Sequence, residues 1–155
     1  MAFGSYSVFN VSTAYTTAPK TVVQVAPPAA HVIDVLKASL GQSNYLTSSM
    51  QTIGLATTTA AATVTSATPV PLNAGSVASS CVGGTSATGR EASAEGTTIV
   101  ILETEDFNTL SSWRYEPVPE RRPRITPALF LALRLISAPA SSINADGNIV
   151  FFELL

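Results

Sequence analysis

Charge is scarce in this chain. Lysine, arginine, aspartate and glutamate make up 12% of its 155 residues, about half of the roughly one quarter usual in globular domains. Hydrophobic residues stand at 46%, the opposite of the balance that keeps chains disordered, so a packed core is expected. A net charge of −2 gives no electrostatic footprint for direct nucleic-acid contact. Histidine, tryptophan and cysteine occur once each, as His31, Trp113 and Cys81. A single cysteine excludes an intrachain disulfide and a cysteine metal cluster. A single histidine leaves the usual zinc sites and Ser-His-Asp arrangements short of parts, so no cofactor is expected. Long apolar runs are missing too: no stretch approaches the ~18 residues of a membrane span. The opening MAFGSYSVFN lacks the basic start and apolar run of a signal peptide. The expectation is a soluble chain, compatible with assembly in a reducing cytoplasm.

What is present is unevenly placed. Residues 1–89 hold only Lys20, Asp34 and Lys37 as charged side chains, and all the others lie from Arg90 onward. Such asymmetry points to separate surfaces, and a sparsely ionised skin suits a protein packed against others, because interface cores are depleted of charge. The length fits one domain of roughly 100–200 residues with an appendage. Residues 1–19 read as an extended arm, with a disordered terminus as the alternative; Phe3, Tyr6, Phe9 and Tyr15 stand there among serines and threonines. Small and β-branched residues disfavour a helix, and Pro19 closes the segment. The division is an arm with a first strand over 1–30 and a β domain over 31–155.

Strands are expected at Thr21–Ala26, His31–Leu40, Met50–Leu55 and Ala62–Thr68. The set Val32, Ile33, Val35 and Leu36 fits a helical face as well, but Gly41 closes that run early. Residues 75–89 read as a Ser/Thr/Gly loop. Thr97–Leu102 (TTIVIL) has the look of a strand covered on both faces, and Glu103–Leu110 of a charged segment with a helical turn. Trp113–Val118 alternates, with Trp113 and Tyr115 on one face. Leu129, Leu131, Leu133 and Leu135 form a strong period-two pattern. A turn at Ala145-Asp146-Gly147 leads to a closing strand, Asn148–Leu154. Seven or eight such strands predict an all-β, antiparallel, jelly-roll-like sandwich.

Chemistry-bearing residues are few. His31 has no partner motif and reads as a strand-edge or capping residue. Gly84-Thr-Ser-Ala-Thr-Gly89-Arg90-Glu91 has the glycine spacing of a phosphate loop, but arginine and glutamate stand where lysine and a hydroxyl residue belong. Glu103, Glu105 and Asp106 cluster without a calcium-loop pattern. EPVPERRPRITP, with Glu116, Glu120, Arg121, Arg122 and Arg124, reads as an extended surface connection. Its arginines suit bidentate pairs with carboxylates, on a partner or within the domain.

In order, the segments are HVIDVLKAS, IGLATTTAAATV, GGTSATGREASAEGT, SSWRYEPVPERRPRI, LFLALRLIS and GNIVFFEL. This succession resembles the small tailed-phage proteins that decorate or cement the head. The likeness spans roughly residues 31–155 and is one of pattern order, so it assigns no role to any residue. It implies a jelly roll, commonly a homotrimer, on the outer capsid surface of the virion after assembly in the host cytoplasm. The partners it implies are the major capsid protein and neighbouring copies. The expectation is therefore a virion structural protein and not an enzyme. Anchoring falls to Phe3, Tyr6, Phe9 and Tyr15, and polar contact to Arg121, Arg122 and Arg124. The alternative is a carbohydrate- or receptor-binding β module of a phage tail or fibre, with Trp113 and Tyr115 as its aromatic pair.

Overall fold

The computed structural model describes residues 4–15, 18, 20–43, 48–97 and 99–154, with Ser12 and Thr13 described by backbone alone. The described residues form β1 (Ser5–Tyr15), β2 (Lys20–Val25), β3 (Val32–Gln42), β4 (Met50–Thr58), β5 (Thr63–Ser66) and β6 (Val70–Pro71). They continue as β7 (Gly89–Ala94), β8 (Val100–Asn108), β9 (Trp113–Tyr115), β10 (Arg124–Ile125), β11 (Phe130–Leu135) and β12 (Ile143–Leu154), with one 3₁₀ turn at Pro119–Arg121. The front sheet runs β10-β3-β12-β1-β6, with β9 also paired to β3. The back sheet runs β5-β7-β2-β11-β4-β8. All ladders between these strands are antiparallel. The chain is an all-β sandwich, and its first four strands alternate between the two sheets.

Period-two patterning builds it. Along β12, Ile143, Ala145, Gly147, Ile149, Phe151 and Glu153 are buried while the residues between them are half-exposed. Side chains of a strand point alternately to its two faces, so one set must face the opposite sheet. Along β3 the buried set is Ile33 and Val35, then Ala38, Leu40 and Gln42. The phase changes at Leu36, where the register against β12 slips between Val150 and Phe151. Leu36 is the extra residue of a β-bulge, which is why this segment fitted neither a pure alternation nor a clean helical face. Between the sheets lie Tyr6, Val8, Val22, Ile33, Val35, Leu40, Ile53, Leu55, Leu131, Leu133, Leu135, Ile149 and Phe151. The Tyr6 and Phe151 ring centroids are 5.9 Å apart. The outer face of β2 is covered as well: Gln24 donates to Ala87 O at 2.6 Å and accepts from Ala62 N at 2.8 Å.

Four expectations are corrected. Residues 5–15 are no projecting arm: β1 pairs with β12 from Ser5↔Phe152 to Tyr15↔Ile143 and with β6 at Tyr6↔Pro71. Its inward set, Tyr6, Val8 and Asn10, is buried, and the polar member is satisfied: Asn10 donates to Tyr15 Oη at 2.9 Å and accepts from Gly147 N at 2.6 Å. Ala145-Asp146-Gly147 is no turn but the interior of β12. Gly147 is needed there because a Cβ would lie 2.4 Å from Val22 Cγ1 and 2.9 Å from Asn10 Oδ1. Residues 103–108 continue β8 as strand instead of forming a helical turn. Finally, TTIVIL is not covered on both faces: Ile99, Val100, Ile101 and Leu102 are 37%, 56%, 45% and 41% exposed. Among the described strands, β8 is the last of the back sheet and pairs with β4 alone.

Candidate functional site

The outer face of the front sheet is where the structure gathers exposed apolar and hydrogen-bonding groups. Strand register sets one row across it: Phe9 stands opposite Asn148, Asn148 opposite Ser39, and Ser39 opposite Arg114. Ser7, on the same side of β1, donates to Asn148 Oδ1 at 2.7 Å and orients that amide. Asp146 lies opposite Gly41 in the next row. Phe9, Val11, Lys37, Ser39, Arg114, Asp146 and Asn148 thus line a shallow hollow. A second hollow adjoins it through Lys37 and is lined by Leu36, Leu72, Val118, Arg122 and Val150. Phe9, Val11, Leu72 and Val118 are exposed. They give the face an apolar content, and Lys37, Arg114, Asp146, Glu116 and Arg122 line the same hollows with charge.

Two of the sequence-predicted contact residues, Phe9 and Arg122, lie on this face, one in each hollow. Among the described residues, the Nε of Arg122 is buried without a hydrogen-bond partner. Arg121 is exposed on the neighbouring 3₁₀ turn. Arg124 is engaged within the domain, its Nε and Nη2 donating to Asp34 at 2.7 and 2.9 Å. Tyr6 and Tyr15 are fully buried. Tyr6 donates to Val77 O at 3.1 Å, and Lys20 Nζ sits 5.8 Å from the centroid of the Tyr15 ring. Both rings are committed to the fold's own core. Phe3 lies outside the described residues.

The other chemical candidates resolve into local structure. Glu103, Glu105 and Asp106 are exposed along β8; Glu105 accepts from Trp113 Nε1 at 3.0 Å and Asp106 from Thr52 Oγ1 at 2.5 Å. Among the described residues, no three His, Cys, Asp or Glu side chains are placed to hold a metal ion. Trp113 is only 3% exposed and stacks on Tyr115, with centroids 6.2 Å apart and planes 4° from parallel. The segment with phosphate-loop spacing leads into strand β7 at Gly89, not into a helix, so it lacks the helix N-terminus that would receive a phosphate.

Sequence reasoning missed one cluster. Glu153 is fully buried near the end of β12. It accepts from the Ser79 hydroxyl, from Ser80 N at 3.1 Å and from Cys81 N at 3.3 Å, and His31 Nδ1 stands 3.9 Å away. Burial, reinforced by the negative charge of Glu153 and a hydrogen bond to it, pushes the Cys81 thiol well above its ordinary range. A thiol that stays protonated and enclosed is a poor nucleophile, so the grouping fastens the 79–81 loop to the front sheet. The available signal was phase: Glu153 falls in the buried register of Ile149 and Phe151. Comparison with family models, curated proteins and solved structures found no match for this chain.

Proposed function

We propose that this chain is a non-catalytic structural subunit, a decoration or cement protein of a tailed-phage head, which seats the outer face of its front sheet on the shell. The observation that carries the reading is the pair of adjoining hollows, with exposed Phe9, Val11, Leu72 and Val118 and the unpartnered Nε of Arg122. Contiguous exposed apolar surface with a polar rim is characteristic of macromolecular contact sites. A backbone carbonyl or carboxylate of the major capsid protein, placed against Arg122, would supply the acceptor its buried donor lacks. Many copies, each adding modest non-covalent contacts, would brace a shell against the pressure of packaged DNA. The alternative of a glycan-binding module has less support, because the indole of Trp113 is buried instead of offering a platform.

The test is electron microscopy of native particles together with binding of purified protein to undecorated heads. Density for this chain on the outer shell is expected, as is weakened binding by Phe9→Asp and Arg122→Glu. Density in the tail or absent from the particle, or binding indifferent to both substitutions, would overturn the reading.

A further inference from the structure

Unpaired cations are unevenly distributed over this fold. Of its eight basic side chains, Arg90, Arg114, Arg124 and Arg134 each stand 4.0 Å or less from a carboxylate, and Lys20 lies against the ring of Tyr15. Among the described residues, Lys37, Arg121 and Arg122 make no side-chain hydrogen bond or ion pair. Arg121 is exposed, but Lys37 and Arg122 are half-buried, and both line the second hollow of the front sheet. The carboxylate in that hollow, Glu116, is held by Arg114. A charge partly withdrawn from water without a counter-charge is costly. Two such cations beside one apolar surface leave a place for a single negative group.

The backbone explains how that place arises. Consecutive residues of a regular strand point to opposite faces, yet Leu36 and Lys37 line the same hollow. The slip in register opposite Val150 and Phe151 permits it, because a bulge re-aims the side chains beside it. Lys37 is thereby set next to the apolar surface that Leu36, Leu72, Val118 and Val150 supply.

We infer that this hollow is a carboxylate pocket, which takes an aspartate or glutamate side chain of a protein partner, flanked on that partner by apolar residues. Lys37 and Arg122 hold the carboxylate, and the leucines and valines receive its neighbours. The inference rests on the proposed function, in that it takes the outer face of the front sheet as the contact face and names the chemistry recognised there. Charge chooses the occupant. A guanidinium presents a planar fork of donors that matches a carboxylate, and Lys37 adds a second positive charge. A polyphosphate chain would instead bring further negative charge over Glu116 in this hollow and Asp146 in the adjoining one, where like charges repel. A neutral apolar segment would bury both cations unpaired.

NMR titration of the whole isotopically labelled chain with acetyl-Leu-Asp-Leu-amide tests this, with acetyl-Leu-Asn-Leu-amide as the neutral probe of the same shape. The aspartyl peptide is expected to shift the side-chain resonances of Arg122 and Lys37. It should bind on the order of 10-fold more tightly than the asparaginyl one, the scale of a charge-assisted hydrogen bond. Lys37→Met and Arg122→Gln should each remove most of that preference and leave thermal stability equal or higher, since neither cation has a partner to lose. Lowered stability in both variants would assign the two cations to the fold and overturn the pocket. Equal affinity for the two peptides, no binding of either, or a preference for inorganic tripolyphosphate over the aspartyl peptide would overturn it as well. Binding to undecorated heads separates the two readings. Heads that respond to Phe9→Asp but not to Lys37→Met or Arg122→Gln would sink the pocket and leave the shell contact standing. Selective binding of the aspartyl peptide without binding to heads would sustain the pocket and remove the shell as its partner.

Discussion

The buried carboxylate of Glu153 receives the hydroxyl hydrogen of Ser79, which ties a loop 74 residues distant in sequence to the centre of the front sheet. Ser80 N and Cys81 N point at the same carboxylate. Removing the acceptor strands the Ser79 hydroxyl and Ser80 N, while Cys81 N keeps its contact to Ser79 Oγ at 3.1 Å; an unsatisfied buried donor costs about 1–3 kcal/mol. Glu153→Ala is expected to lower stability in urea by about 3 kcal/mol, and Glu153→Gln, which keeps one acceptor oxygen, by less. Equal stability of all three proteins would remove the cluster from the account.

Cys81 supplies a pH dependence with a definite sign. Its thiol is raised in the folded state, chiefly by burial and then by the charge of and a hydrogen bond to Glu153, while in the unfolded chain it titrates near ~8.5. Above that pH the unfolded state gives up a proton that the folded state keeps, so it binds fewer protons and stability falls as pH rises. The contribution is fully present below the unfolded value and declines through the alkaline range. Urea midpoints measured from neutral pH to about pH 10 should fall for the wild type, and the fall should flatten in Cys81→Ala. Thiol reagents should label the native protein only as fast as it opens.

Gly147 sits at a close approach between the two sheets. With Val22 Cγ1 2.4 Å from where its Cβ would be, Gly147→Ala must displace β2 or β12. Overpacking of this kind costs about 1–3 kcal/mol. A loss of that size in thermal or chemical denaturation is expected, with partial recovery in the double substitution Gly147→Ala, Val22→Ala.

Trp113 reports the β8–β9 junction. Enclosed, stacked on Tyr115 and donating to Glu105, its fluorescence should be blue-shifted relative to free indole and poorly accessible to acrylamide. Sugars should not quench it. Glu105→Ala should cost about 1–2 kcal/mol through the lost charged acceptor and raise accessibility to the quencher; an unchanged spectrum and stability would show the hydrogen bond to be idle.

The all-β class was legible because β2, β4, β11 and the second half of β12 carry β-branched and leucine patterns strong enough to read directly. β1 was not, because its inward residue Asn10 is polar and its outward Phe9 apolar, so the segment looks like a decorated tail until β12 is placed beside it. The same tertiary cause hid the strand continuing through Gly147: glycine signals a turn in isolation, while here it answers to Val22 across the sandwich. For β8, the apolar composition correctly announced a strand but not its place, since a covered central strand and an uncovered edge share one sequence signature. Of the contact residues, Phe9 and Arg122 fell on a shared face, and nothing in their local sequence linked them, because 113 positions separate them and only the pairing of β1 with β12 and of β12 with β3 brings their surroundings together.

The pairing of β1 with β12 also bears on how the chain reaches its final state. Ser5 must find Phe152 before the front sheet has a middle, so the nucleus of that sheet cannot assemble from neighbours in sequence and waits for β12 to leave the ribosome. Topologies dominated by such distant pairings fold in milliseconds to seconds, not microseconds. Throughout that interval the exposed apolar run Ile99–Leu102 is open to contact with other unfinished chains. Slow synthesis, low temperature or a holdase chaperone should therefore raise the soluble yield more than any substitution in the core.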